Sequence, residues 1–214
     1  MVDIMTVKEF KKTVMVLLCE SMSLDKLDDY CRGKTAEDKA LWEEYRPILA
    51  VVNYKRIRDE EIIELGKKTK TWDAMIGGRD IYEVVQALPK NEHELRVGGQ
   101  RSFHVDGKRH TCGFRGAIDG GFIPFIFHIN DRFQFPTVII EKIKAKHEKK
   151  YADNRSLIVA FSGNYAIPEG IDGNDSVISR WVDEIRRRTD RGTFREILLV
   201  DQEECKVFPV FADC

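Results

Sequence analysis

The sequence predicts a mixed α/β protein, in which a helical N-terminal part precedes a mixed sheet flanked by helices. Three observations favour this fold class: apolar residues at helical spacing near the N-terminus, short runs separated by glycines after residue 96, and short, wholly apolar runs near the C-terminus. We expect a helical region over residues 1–95 and an α/β region over 96–214, which could form one compact domain.

Size and composition indicate a globular protein. Of the 214 residues, 43% are hydrophobic and 33% are charged, which allows a full core. The net charge of −1 excludes a global basic field for nucleic acid, so binding would need a local patch. The cysteines form no close pair, and Cys19 is expected to be a buried thiol. No segment reads as a signal peptide or membrane span. We expect a cytoplasmic protein, and nothing indicates its oligomeric state.

The N-terminal region reads as a series of helices. Three pairs of residues resemble capping boxes, in which side chains at a helix start bond its free amides: Thr6 with Glu9, Thr35 with Asp38, and Asp80 with Glu83. We therefore predict helices after Thr6, after Thr35 up to Pro47, and over Asp80–Leu88. A fourth is expected over Asp59–Leu65, ended by Gly66.

The pattern then changes to strands. Short runs separated by glycines predict strands at Arg101–Val105, Lys108–Phe114 and Phe122–Ile129, with a tight turn at Asp106-Gly107. A helix follows from about Thr137 to Tyr151, and another begins near Ser176. Further strands are expected at Ser156–Phe161, Phe194–Val200 and Lys206–Phe211. The most apolar runs, Phe125–Ile129 and Leu157–Phe161, should be neighbouring central strands because neither suits exposure to water.

Polar residues in the predicted strands offer possible ligands. The zinc-binding types are His104, His110, Cys112 and His128, but their spacing matches no closed zinc motif, which favours scattered strand residues. Asp106 is explained by its turn. Asp119, which precedes Gly120-Gly121, remains a candidate functional acid.

Basic residues concentrate in the two C-terminal helices. The candidate nucleic-acid-binding residues are Lys142, Lys146, Lys149, Arg186, Arg187 and Arg188. They could form a phosphate-binding surface, although such lysines and arginines are also typical of a solvated helix face.

The order helix, three strands, helix, strand resembles the core of the PD-(D/E)xK nuclease-like superfamily. The resemblance covers about residues 80–211 and rests on the helix and strand at 139–161 and on the strand-like run at 194–201. Active members hold a metal ion with an aspartate on the second strand and a Glu-x-Lys on the third. The predicted third strand here contains neither acid nor lysine.

The resemblance implies a rearranged or lost site. Asp119 would stand for the aspartate, Glu141 for a glutamate moved to the helix, and Lys144 for the lysine, with Asp119 and Glu141 holding Mg²⁺. This implies a nucleic-acid-binding protein that is either a Mg²⁺-dependent endonuclease or a degenerate relative. Two alternatives stay open: a non-enzymatic interaction domain, and a small-molecule enzyme with a pocket near Ser162–Tyr165.

Overall fold

The chain forms one mixed sheet with helices on both faces, as seen in a computed structural model. The residues that the structure describes are 4–21, 39–66, 70–87, 124–149, 151, 154–161, 174–202 and 205–212. The strands are β1 (Ile4–Thr6), β2 (Ile62–Leu65), β3 (Ala74–Ile76), β4 (Asp80–Gln86), β5 (Ser156–Phe161), β6 (Ile197–Asp201) and β7 (Lys206–Phe211). The helices are α1 (Val7–Ser21), α2 (Arg46–Tyr54), α3 (Pro124–His147) and α4 (Asn174–Arg188). The predicted mixed α/β class is confirmed.

The seven strands lie in the sheet in the same order as in the chain. Strands β2 to β4 form an antiparallel meander, to which β1 adds antiparallel beside β2. Strands β4, β5 and β6 run parallel, and β7 returns antiparallel to β6. The two parallel connections contain α3 and α4, the usual means of crossing between parallel strands. The wholly buried β5 is a central strand, as its composition predicted.

Each face of the sheet has its own hydrophobic core. Helices α1 and α2 cover one face, where Phe10, Val14 and Ile48 pack against Ile158 of β5. Helices α3 and α4 cover the other, where their buried residues form a cluster with alternate residues of β5: Ile139, Ile143, Ile178, Trp181, Leu157 and Val159. Because β5 is covered on both faces, it has no polar side and reads as a continuous apolar run.

The capping box at the start of α1 is confirmed. The backbone N–H and the hydroxyl of Thr6 both donate to Glu9 Oε2, at 2.8 and 2.9 Å, and the Glu9 N–H donates back to the Thr6 hydroxyl at 3.2 Å. Cys19 was expected to be buried but is exposed, because α1 turns Phe10 and Val14 toward the core and Cys19 away from it.

Two predicted helices are strands. Asp59–Leu65 contains β2, and Asp80–Leu88 contains β4. In β4 the apolar residues fall at helical spacing only because both faces of the strand are packed: Val84 belongs to one core and Val85 contacts the other. A strand buried on both sides does not alternate, and periodicity then cannot separate it from a helix.

The predicted strand at Phe125–Ile129 is also wrong, because these residues belong to α3. The apolar run was read as a strand beginning after Pro124. Proline is equally suited to the first turn of a helix, where its missing N–H would have no partner, and Pro124 is the first residue of α3. His128 therefore lies on a helix. The remaining predicted ligands and strands of this segment lie outside the described residues: Arg101–Val105, Lys108–Phe114, His104, Asp106, His110, Cys112 and Asp119.

A π-helical turn, Leu41–Tyr45, leads into α2 without a break. The Arg46 N–H bonds to the Leu41 carbonyl five residues earlier, which is the π-helical pattern. Pro47 was expected to interrupt this helix, but it lies in the first turn of α2 and is buried. Among the helices of the described residues, none is long and apolar enough to cross a membrane.

Candidate functional site

An open cleft of about 300 Å³ lies where β4 extends beyond β3. β3 pairs with β4 only as far as Tyr82, so the edge from Glu83 to Gln86 has no β3 partner. Side chains from the π-helical turn, the chain before β3, β4 and α3 line the cleft: Glu43, Glu44, Asp73, Val84, Val85, Gln86 and Lys142. We refer to this group as the acidic cleft.

Asp73 is fixed by its backbone and its side chain. Its N–H donates to the Tyr82 carbonyl at 3.0 Å, and its carbonyl accepts the Gly66 N–H at 2.7 Å. Its Oδ2 accepts the N–H of Val84 at 2.6 Å, in place of the missing strand partner. Because the N–H and C=O of a strand residue point the same way, the Val84 carbonyl also faces the Asp73 side. Burial raises the pKa of Asp73, and the Val84 hydrogen bond opposes this rise.

Glu44 reaches the same cleft from the π-helical turn. Its pKa is raised to about 7, chiefly by burial and then by the negative charges of Asp73 and Glu43, against a smaller lowering by Lys39. Asp73 lines the same cleft. Single π-turns occur often at functional sites, where the extra residue re-aims the side chains that it carries. The cleft therefore concentrates negative charge that a cation would neutralise.

Gln86 contributes an amide at the end of β4. Its Nε2 donates to the Glu43 carbonyl at 2.7 Å, which fixes the orientation of the amide. Its Oε1 is buried and has no hydrogen-bond partner among the described residues. A buried acceptor without a donor is costly, so this oxygen is suited to a cation or a ligand donor.

Lys142 brings the cleft its positive charge, from α3. Glu141 and Lys144, which the resemblance implied as catalytic residues, lie near Lys142 in the chain. Both are exposed on α3 and are not among the residues that line the acidic cleft. Asp119 lies outside the described residues. Glu141 and Lys144 therefore lie outside the acidic cleft, which gathers a different set of described residues.

Lys146 is largely buried and is paired with a carboxylate. Its side chain is 14% exposed and forms an ion pair with Glu83, whose own side chain is 10% exposed. Glu83 also accepts hydrogen bonds from the Tyr151 hydroxyl at 2.9 Å and from Arg155 at 3.0 Å. We call these four residues the Glu83 hub. Lys149, another residue that the sequence predicted to bind nucleic acid, is exposed.

The three arginines at the end of α4 differ in their partners. Arg186 donates to the carbonyls of Val210 and Pro209, at 2.7 and 3.0 Å, and so ties α4 to β7. Arg188 forms an ion pair with Glu184 at 2.7 Å, and Arg187 donates to the Asp183 carbonyl at 3.3 Å. All three are exposed, so each retains a face toward solvent.

The cleft offers the donor set of a hard divalent cation. Carboxylate oxygens from Glu44 and Asp73, with the unpartnered Oε1 of Gln86, match the preferences of Mg²⁺ or Mn²⁺. Within the described residues, no three His, Cys, Asp or Glu side chains converge as a metal site. A cation here would have two carboxylates, and water and substrate phosphate would complete its shell, as is common for Mg²⁺.

Sequence reasoning missed Glu44, Asp73 and Gln86. These residues lie far apart in the chain, and Gln86 fell within a predicted helix. One signal was present: Asp73 directly precedes a short apolar run and the pair Gly77-Gly78, both at positive φ in the β3–β4 turn. Read as a hairpin, this segment would have placed an acid at a strand start.

Comparisons with known proteins found no counterpart: no family model matches the chain, and no curated protein or solved structure matches it significantly. We therefore infer the chemistry of the acidic cleft from its side chains.

Proposed function

We propose that the protein is a metal-dependent phosphodiesterase acting on nucleic acid, with the acidic cleft as its active site. The observation that carries this proposal is the convergence of Glu44, Asp73 and Lys142, from three separate elements, on the unpaired edge of β4. An acidic pair with an adjacent lysine suits a reaction at a phosphate, which requires a cation and a further positive group.

The element order supports the proposal. The order of the nuclease-like superfamily is a helix, three strands, a helix and a strand, and α2, β2, β3, β4, α3 and β5 stand in that order among the described residues. In this frame Asp73 directly precedes the second strand, where the resemblance implies an aspartate. The third strand, β4, carries Gln86 at the cleft, and Lys142 of α3 takes the place of the missing strand lysine.

Each side chain has a role in this proposal. Glu44 and Asp73 would hold Mg²⁺, and the Gln86 Oε1 would face the ion or its water. The bound metal would lower the pKa of a water molecule and neutralise phosphate charge. Lys142 would bind a phosphate oxygen and stabilise the negative charge that develops there. Lys149 and Arg187, which are exposed, are available for contacts with the nucleic-acid backbone.

The test compares two sets of residues in one chain. Purified protein is incubated with labelled single-stranded and duplex DNA and RNA, with Mg²⁺ or Mn²⁺ and with EDTA. We expect cation-dependent cleavage that Glu44→Gln, Asp73→Asn and Lys142→Met abolish. Asp119→Asn, Glu141→Gln and Lys144→Met, which alter the site implied by sequence alone, should retain it. Loss of activity in the second set with retention in the first would refute the cleft assignment.

Absence of cleavage in the wild type on every substrate would refute the enzymatic proposal. One observation would then favour the interaction-domain alternative. The side chains of Met15 and Val16 are 54% and 47% exposed at consecutive positions of α1, where they would be available to an apolar partner. The alternative pocket near Ser162–Tyr165 lies outside the described residues.

A cytoplasmic location is part of the proposal. In the described residues, Cys19 and Cys205 are free thiols on the surface, and such thiols persist in a reducing compartment.

A further inference from the structure

The Glu83 hub joins three segments at one carboxylate. Glu83 Oε1 accepts from Lys146 of α3 and from the Tyr151 hydroxyl, and Oε2 accepts from Arg155 just before β5. Arg155 also donates to the Thr71 carbonyl at 2.5 Å, and its guanidinium lies 4.0 Å from the centre of the Tyr151 ring. The side chain of Arg155 is 3% exposed, so this charge is held among protein groups.

The hub lies beside the acidic cleft in two ways. Glu83 directly precedes Val84, whose N–H holds the Asp73 carboxylate. On α3, Lys146 follows Lys142 by one helical turn, so that both residues lie on the same side of the helix. The backbone N–H of Lys146 also closes the helical turn that begins at the Lys142 carbonyl.

Apolar packing thins toward the end of α3, where the His147 ring, 5.6 Å from the Phe194 ring, is the remaining contact with the core. Ile139, Ile140 and Ile143 are buried, but Lys144 and Ala145 are exposed and the helix ends at His147. The Lys146–Glu83 pair is thus the polar contact that fastens the last turn of α3 to β4. Both partners of this ion pair are largely removed from water, so separating them is costly and the pair fixes their relative position.

We propose that the Glu83 hub is a positioning device that holds the last turn of α3 against β4 and thereby keeps Lys142 in the acidic cleft. Glu83 and Lys146 are positioning residues here, not catalytic ones. What Lys142 does in the cleft rests on the proposed function, whereas its placement by the hub does not.

The experiment measures the accessibility of Lys142 without any substrate. The folded protein is treated briefly with acetic anhydride, and acetylation at each lysine is followed by mass spectrometry. In the wild type, Lys142 should react more slowly than the exposed Lys144. In Lys146→Met, the rate at Lys142 should rise at least about threefold as the last turn opens more often, while the rate at Lys144 stays constant.

Three further variants complete the design. Lys146→Arg keeps a cation and should leave Lys142 as slow as in the wild type. Lys12→Met, which removes an exposed lysine of α1, is the matched control and should also change nothing. Lys146→Gln keeps a donor to Glu83 without the charge, and it should raise the Lys142 rate by less than methionine does. If Lys146→Met does not fold, the acetylation rate of Lys142 in Lys146→Gln tests the proposal.

An unchanged Lys142 rate in both Lys146→Met and Lys146→Gln would overturn the positioning role, because apolar packing alone would then hold Lys142. A parallel rise at Lys144 would overturn it too, since that result indicates general loosening of the helix. These rates are independent of cleavage. A protein that cuts no nucleic acid would refute the proposed function, and the acetylation rates would still decide the role of the hub.

Discussion

Gln86 donates a hydrogen bond, at 2.7 Å, to the carbonyl oxygen of Glu43, the oxygen that Pro47 leaves without its α-helical donor. In an α-helix the N–H of residue 47 would bond to this carbonyl, but proline has none. The side chain of Gln86 supplies the missing donor from the end of β4. The proline thus explains how a strand residue is tied to the turn that carries Glu44.

We expect this relationship to appear as coupling between two substitutions. Gln86→Leu should reduce the free energy of unfolding by about 1 kcal/mol, the usual cost of one hydrogen bond. In a Pro47→Ala background the cost should be smaller, because the new backbone N–H can bond to Glu43. Urea unfolding of both single variants and the double variant gives the coupling energy. Equal costs of Gln86→Leu in the two backgrounds would contradict this explanation.

The raised pKa of Glu44 makes stability depend on pH. Its pKa is about 7 in the folded protein against 4.5 ordinarily, so the folded state holds a proton that the unfolded chain releases between these values. Stability should therefore fall as the pH rises from about 4.5 to about 7. Glu44→Gln should remove that fall and be more stable at pH 8, by about 1–2 kcal/mol after allowance for partial exposure. Thermal melts at pH 5 and pH 8 measure it, and Glu148→Gln, at an exposed site, is the control.

Gly66 should tolerate no side chain. A Cβ built there would lie 1.7 Å from the carbonyl oxygen of Trp72. The Gly66 N–H donates a hydrogen bond to the carbonyl of Asp73, which follows Trp72 in the chain. We expect Gly66→Ala to push Trp72 and Asp73 away, to lower stability by about 3 kcal/mol, and to abolish Mn²⁺ binding in titration calorimetry. Gly78→Asn is the control, because Gly78 has open space around its Cβ position and a φ of +70° that asparagine accepts. Normal Mn²⁺ binding by the Gly66→Ala variant would refute the role of this glycine.

Two lysines at and just after the end of α3, which look alike in the sequence, should behave differently. Lys149→Glu should weaken binding of nucleic acid and reduce the slope of its salt dependence by about one or two, with the fold intact. Lys146→Glu should lower the free energy of unfolding by about 3–5 kcal/mol, because it places an acid against Glu83. Glu148→Lys, between them, should strengthen binding. Filter binding at several salt concentrations, with circular dichroism melts, distinguishes these effects. Equal stability of the two lysine variants would contradict the buried position of Lys146.

The sequence was most informative where one physical cause dominated. Ser156–Phe161 has no polar side, and helices cover both faces of this strand, so its apolar run led directly to the correct assignment. The capping box at Thr6 and Glu9 is a local arrangement and was equally readable. Asp80–Leu88 misled because a strand packed on both faces happened to show helical spacing.

The candidate site was beyond such reading for a different reason. Glu44, Asp73 and Gln86 are brought together by a π-helical turn and by the end of strand pairing at Tyr82. Neither feature can be read from residue spacing. The π-helical turn shifts side chains relative to ideal helical positions, and the pairing of strands depends on residues far away in the chain. Glu141 was chosen because it lay near the start of a helix predicted from Thr137, but α3 begins at Pro124 and includes the predicted strand Phe125–Ile129. Asp119 lies outside the described residues.

The sequential order of the strands has a consequence for how the chain folds. Strands β2, β3 and β4 can add to one another in turn through short loops, whose closure costs little entropy, whereas β1 joins β2 across residues 7–61. Pairing of β4 with β5 must instead join Tyr82 to Ser156 across a long stretch of chain. We expect this seam to form late and to limit the folding rate. Glu44, Asp73 and Gln86 all lie on the N-terminal side of this seam, so we expect them to assemble first, and Lys142 to complete the site only when the two parts of the sheet join.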